Sequence, residues 1–391
     1  MDVKRLGIIG TGLIGASVGL AAKRAGVEHV AGYDFDETAA ETAKARGAVD
    51  ELRLMTRELL TDGVDLVVVA VPVLALGASL NDVLGNDSEC AVTDVGSTKA
   101  QLGAAIQDPR FVGGHPVTGS EAQGPEHATA DLFDGATWFL TPTTHTDPKR
   151  YRLVHGFVSA LGATPVAIDS DAHDRLVALT SHLPHALANL LVNQAGSGRI
   201  EGHDPLAAAG GSLRDMTRVA GANPRIWVDI FLENAGPLQE SLAEHRRRIE
   251  QLEGALRSRD AGFLGRWIGE ASGNRRRMLG RAYPDAGALH QLRVHVPDRP
   301  GVLAGITQAL GAERINIEDF ELHHVSPDRG GTLTLLIGGQ EEAQRAAALL
   351  EAQGYGVVVS PVLADELKSS QLRRSSGTSR CPETSPSRTE Q

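Results

Sequence analysis

The chain has 391 residues, of which 41% are hydrophobic, and this length predicts two or three folded domains. Its net charge of −11 argues against general electrostatic binding to nucleic acid or an anionic membrane. Two distant cysteines, Cys90 and Cys381, form neither a disulfide framework nor a zinc-binding spacing. No signal region opens the chain and no apolar run reaches the ~18 residues of a membrane helix. We therefore expect a cytoplasmic protein without metal, membrane or nucleic-acid partners.

The first elements form a dinucleotide-binding pattern. A predicted strand at residues 4–9 runs directly into GTGLIG at residues 10–15 and an alanine-rich amphipathic helix. The next predicted strand ends at Asp34, about 20 residues beyond the glycines, where such folds carry an acid. The glycines permit a tight turn, close approach to a pyrophosphate and helix–strand packing. The expected cofactor-binding residues are Gly10, Thr11, Gly12, Leu13, Ile14, Gly15, Asp34 and Pro72, the last following a later strand.

The acid also predicts which cofactor binds. A carboxylate at Asp34 would accept hydrogen bonds from the adenosine ribose hydroxyls and repel a 2′-phosphate. The following residues, Phe35, Asp36 and Glu37, bring no cation to a phosphate. The sequence therefore predicts NAD rather than NADP.

Strands and helices continue to alternate to about residue 169, which indicates an α/β, Rossmann-type doubly wound, mostly parallel sheet. Further strands are predicted at residues 64–70, 91–94, 110–113, 137–140 and 164–168. Pro72, Ser97 and His115 each follow one of them. Because ligands bind at the carboxyl ends of such strands, these residues should share one rim with the glycine loop. The segment GGHPVTGSEAQG, residues 113–124, is too rich in glycine to predict helix or strand, so we expect His115 in a loop.

Residues 170–285 contain no strand signal and predict an all-helical domain. His182 and His185 are three apart, hence on one helical face, and Pro184 between them should kink the helix or begin a new one. Asp215 and Arg218 have the same spacing, which would allow an ion pair on one face.

The remaining sequence predicts a third domain and a tail. Residues 289–362 read as βαββαβ, the ferredoxin-like arrangement. Residues 363–391 are low-complexity and should be disordered, with no function assigned. The predicted domains are therefore 1–169, 170–285 and 289–362.

Several motifs in order resemble the prephenate dehydrogenase family, which includes arogenate and cyclohexadienyl dehydrogenases. They are GTGLIGAS at 10–17, DVGSTK at 94–99, GGHPVTGSE at 113–121, LFDGATWFLTP at 132–142, SHLPH at 181–185 and GGSLRDMTRVAGANPRIW at 210–227. The sequence DRPGVL at 298–303, in its βαββαβ context, resembles an ACT domain, an amino-acid-sensing module.

The resemblance implies NAD-dependent oxidative decarboxylation of prephenate to 4-hydroxyphenylpyruvate. Neutral imidazole is suited to remove the C4 hydroxyl proton near pH 7, which makes His115 the candidate base. Ser97 would orient His115 and the hydroxyl. The substrate is a dianion, and Arg218 would bind its ring carboxylate through the planar guanidinium.

The remaining roles are also implied by the family. Asp215 would hold Arg218, His182 and His185 would face the pyruvyl side chain or line the pocket, and Glu121 would gate entry. The resemblance further implies a homodimer through the helical domain and an amino-acid effector, tyrosine, at the ACT-like domain.

Three alternatives stay open at this point. Arogenate dehydrogenase performs the same chemistry on a substrate with an amino group in place of the keto group. A β-hydroxyacid or imino-acid reductase shares the domain plan but would leave HPVTGSE and SHLPH unexplained. A non-catalytic sensor of NAD and amino acids is the third, and the intact His115, Ser97 and Arg218 argue against it.

Overall fold

The computed structural model describes residues 2–60, 63–118, 122–282, 289–326 and 330–362. The predicted tail at 363–391 and Glu121 lie outside the described residues. The chain divides into two compact units, residues 1–250 and 251–391, and each is described by itself.

The first unit begins with an eight-stranded sheet in the order β3-β2-β1-β4-β5-β6-β7-β8. All neighbouring strands are parallel except β6 and β7, so the prediction of a mostly parallel doubly wound sheet is confirmed. The strands are β1 (Arg5–Ile9), β2 (His29–Tyr33), β3 (Glu51–Leu52), β4 (Leu66–Val69), β5 (Ala91–Asp94), β6 (Phe111–Pro116), β7 (Thr137–Thr141) and β8 (Thr164–Ala167). The short β3 has no counterpart in the sequence-based prediction.

Helices connect these strands and cover the sheet. They are α1 (Leu13–Arg24), α2 (Glu37–Ala45), α3 (Val73–Leu84), α4 (Ala100–Ala105) and α5 (Pro148–Ala160). The strands between them are apolar, and every residue of β4 and β5 is buried. Strand β4 lies between β1 and β5 and is parallel to both, so the carboxyl ends of these three strands meet at one edge of the sheet.

The structure corrects the expected loop around His115. Strand β6 continues through Gly113, Gly114 and His115 to Pro116, because these residues pair antiparallel with β7. Gly113 and Gly114, whose type argued against a strand, are required in this strand because no side chain would fit there. A Cβ on Gly114 would lie 2.5 Å from the carbonyl oxygen of Asp94, and one on Gly113 would lie 2.3 Å from Oγ1 of Thr141.

Helices follow the sheet, and no strand is found in the described residues between 170 and 282, in agreement with the prediction of a helical region. They are α6 (Ser170–Val177), α7 (Leu183–Gly196), α8 (Gly211–Thr217), α9 (Pro224–Glu233), α10 (Ala235–Ser258) and α11 (Ala261–Ala282), the last of which belongs to the second unit.

A π-helical segment, Ala178–His182, joins α6 to α7 without a break. Pro184 lies in the first turn of α7, which matches the expectation that it would begin a new helix. Proline has no N–H, so a regular α-helix would lose one backbone hydrogen bond there, and the wider turn precedes that position.

The second unit contains a four-stranded antiparallel sheet in the order β10-β11-β9-β12. Its elements are β9 (Leu289–Val296), α12 (Val302–Ala312), β10 (Asp319–Ser326), β11 (Gly330–Gly338), α13 (Gln340–Ala352) and β12 (Gly356–Pro361). Buried aliphatic residues of the strands and both helices form one core. The predicted βαββαβ arrangement is confirmed.

The described helices give no candidate for a membrane span, since none combines sufficient length with sufficient apolar character.

Candidate active site

The glycine loop between β1 and α1 is fixed by Asp34 at the end of β2. One carboxylate oxygen of Asp34 accepts from the backbone N–H of Thr11 at 2.5 Å and from its hydroxyl at 3.1 Å. The other oxygen accepts from the backbone N–H of Asp36 at 2.9 Å. Gly10 has a φ of +88°, which a residue with a side chain rarely adopts. These bonds hold the loop and the acid in a fixed relation.

The loop leaves space only where a dinucleotide would approach. A Cβ on Gly15 would lie 1.8 Å from the carbonyl oxygen of Gly10, whereas a Cβ on Gly12 would meet nothing within 4 Å. Gly12 is the N-cap of α1, and Leu13 and Ile14 open that helix, whose first-turn N–H groups have no partner within the helix. The residues present therefore fit a pyrophosphate at this helix N-terminus. Pro72 caps α3 just beyond β4, the neighbour of β1.

A buried ion pair connects the ends of β5 and β6. Asp94 accepts from the backbone N–H of Gly96 at 2.8 Å and from that of Gly114 at 3.0 Å. Lys99 donates to the same carboxylate, and both side chains are fully buried. Asp94 therefore fixes the strand position immediately before His115.

His115 projects from β6 toward helix α6. Its Nδ1 lies 2.9 Å from Nε2 of His173, and Nδ1 of His173 lies 2.7 Å from Oδ1 of Asp174. His173 and Asp174 are buried, whereas His115 is partly exposed. The Asp174 carboxylate also accepts from the backbone N–H groups of Lys99 and Ala100, each at 2.8 Å. A row of three side chains thus leads from the start of α4 to His115.

Burial lowers the pKa of His115 well below its ordinary value of 6.5, and the nearby His173, Lys99 and His182 lower it further. The ring is therefore neutral at pH 7, which is the state that accepts a proton.

Ser97 lies between β5 and α4 and is partly buried. Among the described residues, His115 bonds to His173 and not to Ser97, so the expected bond between Ser97 and His115 is not formed in this structure.

His182 is buried behind this row. The side-chain amide of Asn234 donates to Nδ1 of His182 at 3.0 Å and to the backbone carbonyl of Asp174 at 2.8 Å. Because Nδ1 accepts, the proton of the neutral ring is on Nε2. Burial lowers the pKa of His182 to about 4.

His185 stacks on Trp227 with ring centroids 3.4 Å apart, and its Nδ1 donates to the carbonyl oxygen of Ser181 at 2.9 Å. Trp227 also meets His182 edge to face at 6.0 Å. Burial and, to a smaller extent, the charge of Arg218 lower the pKa of His185. The structure therefore brings His182, His185 and Arg218 into one neighbourhood.

The expected pairing of Asp215 with Arg218 is not seen. Within the part of the chain that is described, no ion pair joins the two side chains, and both residues are exposed. Helix α8 ends at Thr217, and Arg218 begins a 3-10 turn (Arg218–Gly221), so the two residues do not share one helical face. The role expected for Glu121 lies outside the described residues.

Sequence reasoning missed His173, Asp174 and Asn234. The pair at 173–174 carried a weak signal, since an adjacent histidine and aspartate lie near the start of the helix that follows β8. Asn234 carried no sequence signal of a role in the site, because its partner His182 lies 52 residues earlier in the chain.

Family models account for nearly the whole described chain. The nucleotide-binding domain of prephenate dehydrogenase matches residues 18–167, its dimerization domain matches 169–270, and an ACT domain matches 290–354. A prephenate dehydrogenase of Bacillus subtilis is 31% identical over 359 residues, which span 88% of this chain and 95% of the relative. A cyclohexadienyl dehydrogenase of Zymomonas mobilis is 33% identical over 270 residues, or 67% of this chain and 91% of the relative.

Solved structures give the same result. A prephenate dehydrogenase from A. aeolicus, in complex with hydroxyphenyl propionate and NAD+, has a TM-score of 0.68 at 28% identity and covers 71% of this chain and 99% of its own. A Synechocystis arogenate dehydrogenase has a TM-score of 0.61 at 30% identity, covering 69% of this chain and 98% of its own. The predictions of an NAD-dependent dehydrogenase with this fold and of an ACT domain are confirmed. The chain belongs to the prephenate dehydrogenase family.

Proposed function

We propose that this chain oxidises and decarboxylates prephenate to 4-hydroxyphenylpyruvate, a step of tyrosine biosynthesis, with NAD as the cofactor. The observation that supports this most is a neutral imidazole, His115, on the strand next to β5 in a nucleotide-binding sheet. Arogenate, which carries an amino group in place of the keto group, is the alternative substrate. Similarity to the Synechocystis arogenate dehydrogenase supports arogenate as this second candidate.

The proposed chemistry assigns one task to each group. NAD, when bound at the glycine loop, supplies the acceptor for the hydride that leaves ring C4. His115 accepts the C4 hydroxyl proton as the C–O bond gains carbonyl character. The ring carboxylate then leaves as CO₂, and aromatisation of the ring drives this loss.

Binding of the substrate is assigned mainly to the helical region, with contributions from Ser97 and Glu121 of the nucleotide-binding region. Arg218 binds the ring carboxylate, and His182 and His185 line the pocket near the side-chain end. Ser97 contacts the substrate hydroxyl, and Glu121 controls entry. Asp215 lies three residues before Arg218, and its negative charge supports the Arg218 guanidinium electrostatically. Arg218 already acts electrostatically on His185, which supports a shared pocket.

The direct test is NADH formation by the purified chain with prephenate and with arogenate, followed by identification of the product. We expect 4-hydroxyphenylpyruvate from prephenate. Tyrosine formed from arogenate, at a much higher kcat/KM than prephenate gives, would establish the alternative. Absence of NADH with both substrates would contradict the proposed function.

A His115→Asn variant tests the base. Loss of a general base should lower kcat by about 10²–10⁴ with little change in KM. A value of kcat near that of the wild type would rule out this role. Binding of NAD, measured by calorimetry on the same variant, is the control and should be unchanged, because the glycine loop is not altered.

We also propose a division of the chain into a nucleotide-binding domain at 1–169, a substrate-binding and dimerisation domain at 170–285, and a regulatory domain at 289–362, all in the cytoplasm. The dimerization-domain match at 169–270 supports a homodimer. The ACT match supports an amino-acid effector, for which tyrosine is our candidate as the pathway end product. Saturable heat on titrating tyrosine, but not tryptophan, into the full chain is expected.

A further inference from the structure

We infer that His173 and Asp174 position His115 by fixing which of its ring nitrogens carries the proton. This inference rests on the proposed role of His115 as the base. It assigns two positioning residues that do not themselves touch the substrate.

The direction of the hydrogen bonds follows from Asp174. Its two carboxylate oxygens accept from the backbone N–H groups of Lys99 and Ala100, which can only donate. Both N–H groups lie at the beginning of α4. Asp174 therefore accepts on both of its oxygens, and its contact with His173 at 2.7 Å requires a proton on Nδ1 of His173.

The second bond follows from the first. A neutral His173 with its proton on Nδ1 has a lone pair on Nε2, and this atom lies 2.9 Å from Nδ1 of His115. Nδ1 of His115 must then donate, which leaves the lone pair of His115 on Nε2.

The surroundings keep His173 in place. Its side chain is fully buried, and its ring meets Phe139 of β7 edge to face at 5.3 Å. Phe139 is the register partner of His115 on the neighbouring strand, so the same strand pair positions both histidines.

The arrangement acts before and during proton transfer. Before transfer it selects the tautomer that presents Nε2 as the acceptor, since a free imidazole exchanges between both forms. During transfer Nε2 of His115 takes the hydroxyl proton, while Nδ1 keeps its own proton on the bond to His173. The positive charge that forms on His115 is then stabilised through His173 by the Asp174 carboxylate, without transfer of a proton to Asp174.

Two matched variants of His173 separate hydrogen bonding from packing. In His173→Gln, the side-chain carbonyl can accept from Nδ1 of His115 near the position of the original Nε2. In His173→Met, a side chain of similar length and volume fills the space without a comparable acceptor. We expect kcat to fall about 10²-fold in the Met variant and less than about tenfold in the Gln variant, with KM for substrate and for NAD unchanged in both. Equal losses in the two variants, or a Met variant with wild-type kcat, would overturn the inference.

A measurement on the unsubstituted protein does not depend on activity, and a variant is needed only to assign its signals. Nitrogen-15 chemical shifts in histidine-labelled protein distinguish the two tautomers, and the His115→Asn variant identifies the signals of His115. We expect wild-type His115 to carry its proton on Nδ1 at pH 7. A proton on Nε2 would refute the positioning role even if His115 proves to be the base. Conversely, the expected tautomer in a protein that does not oxidise either substrate would leave the positioning intact and reject the proposed function.

Discussion

Asp34 is the residue on which the choice of cofactor depends. Its carboxylate is held by the backbone and hydroxyl of Thr11 and by the backbone of Asp36, so it cannot turn away from a ribose at this edge. We expect kcat/KM for NAD to exceed that for NADP by about 10² or more.

An Asp34→Asn variant removes the charge but retains one acceptor oxygen for the loop. The NAD-to-NADP ratio of kcat/KM should then fall by about tenfold, which corresponds to ~1.4 kcal/mol. The comparison of both cofactors in both proteins is the measurement. A wild-type preference for NADP would show that the fixed carboxylate does not select the cofactor.

His182 is the residue that should link stability to pH. Its pKa is about 4 in the folded chain, because it is buried, against an ordinary value of 6.5. Between these values the unfolded chain binds more protons, so the free energy of unfolding falls as pH falls through this window. From pH 7 to pH 5 this residue should account for a loss of about 2 kcal/mol.

Urea unfolding of the wild type and of His182→Gln, each at pH 7 and pH 5, tests this linkage. The variant should show a smaller pH dependence by about 2 kcal/mol. His115, whose pKa is also lowered by burial, contributes in the same direction in both proteins and cancels in the comparison. Equal pH dependence in the two proteins would contradict a neutral buried His182.

At this scale the sequence predicted roles for His115 and for the cofactor residues, but it did not indicate the partners of His115. A motif specifies a residue type at a spacing along the chain. The contact between His115 and His173 joins residues 58 positions apart, and it exists only because α6 packs against α4 and β6. Nothing local to either residue encodes that distance.

The glycine loop is an element in which two glycines have different physical tasks. A Cβ at Gly15 would overlap the Gly10 carbonyl at 1.8 Å, whereas one at Gly12 would meet open space. Gly15→Ala should therefore lower both the melting temperature and NAD affinity. Gly12→Ala should leave the melting temperature unchanged and lower only NAD affinity, because a methyl group would stand where the pyrophosphate approaches.

Thermal unfolding and calorimetric titration with NAD measure the two effects separately, and each variant is the control for the other. A Gly12→Ala protein that binds NAD like the wild type would mean that the pyrophosphate lies elsewhere. The loop was fully predictable, because its strand, turn and helix are adjacent in sequence.

Strand β6 shows the opposite case. The sequence predicted a strand only as far as Gly113, and the last three residues of β6, Gly114–Pro116, were read as a loop because their segment is rich in glycine and contains a proline. They are a strand because β7 pairs with them in the antiparallel direction, from Gly113 opposite Thr141 to Pro116 opposite Trp138. Pairing across more than 20 residues of intervening chain cannot be read from local propensity.

For the whole molecule, assembly is the main open prediction. Helix α9 exposes Val228 and Leu232, which lie four residues apart on one face and are 54% and 67% exposed. An apolar helical face of this kind is typical of a surface covered by a partner. We expect sedimentation velocity to give twice the mass of the 391-residue chain.

A double Val228→Asp, Leu232→Asp variant should sediment as a monomer, because two carboxylates would be buried without partners. Leu54→Asp is the matched control. Leu54 is 82% exposed and lies just after β3 in the nucleotide-binding region, so this substitution should not change the sedimenting mass. Dimers that persist in the double variant would place the interface on another surface.

The order of the domain types was predictable from sequence because each type has its own periodicity. Alternating strands and helices, a long helical run and a βαββαβ pattern follow one another along the chain. The contacts that bring His173 of the helical region to His115 of the sheet were not predictable, because no periodicity specifies contacts between side chains.

The π-helical segment has a consequence for the angular position of the histidines. His173 and His182 are nine residues apart, which is two and a half turns of an α-helix and would place them on opposite sides of it. Yet both are buried, and both are within reach of Asp174, one through its side chain and one through Asn234. The wider turn at Ala178–His182 acts as a one-residue insertion that changes the rotational phase of everything after it. With that residue subtracted, eight α-helical steps bring the second histidine back to within a quarter turn of the first. The extra residue of the π-helical segment therefore brings the two imidazoles to similar angular positions, although their spacing in sequence predicts opposite sides.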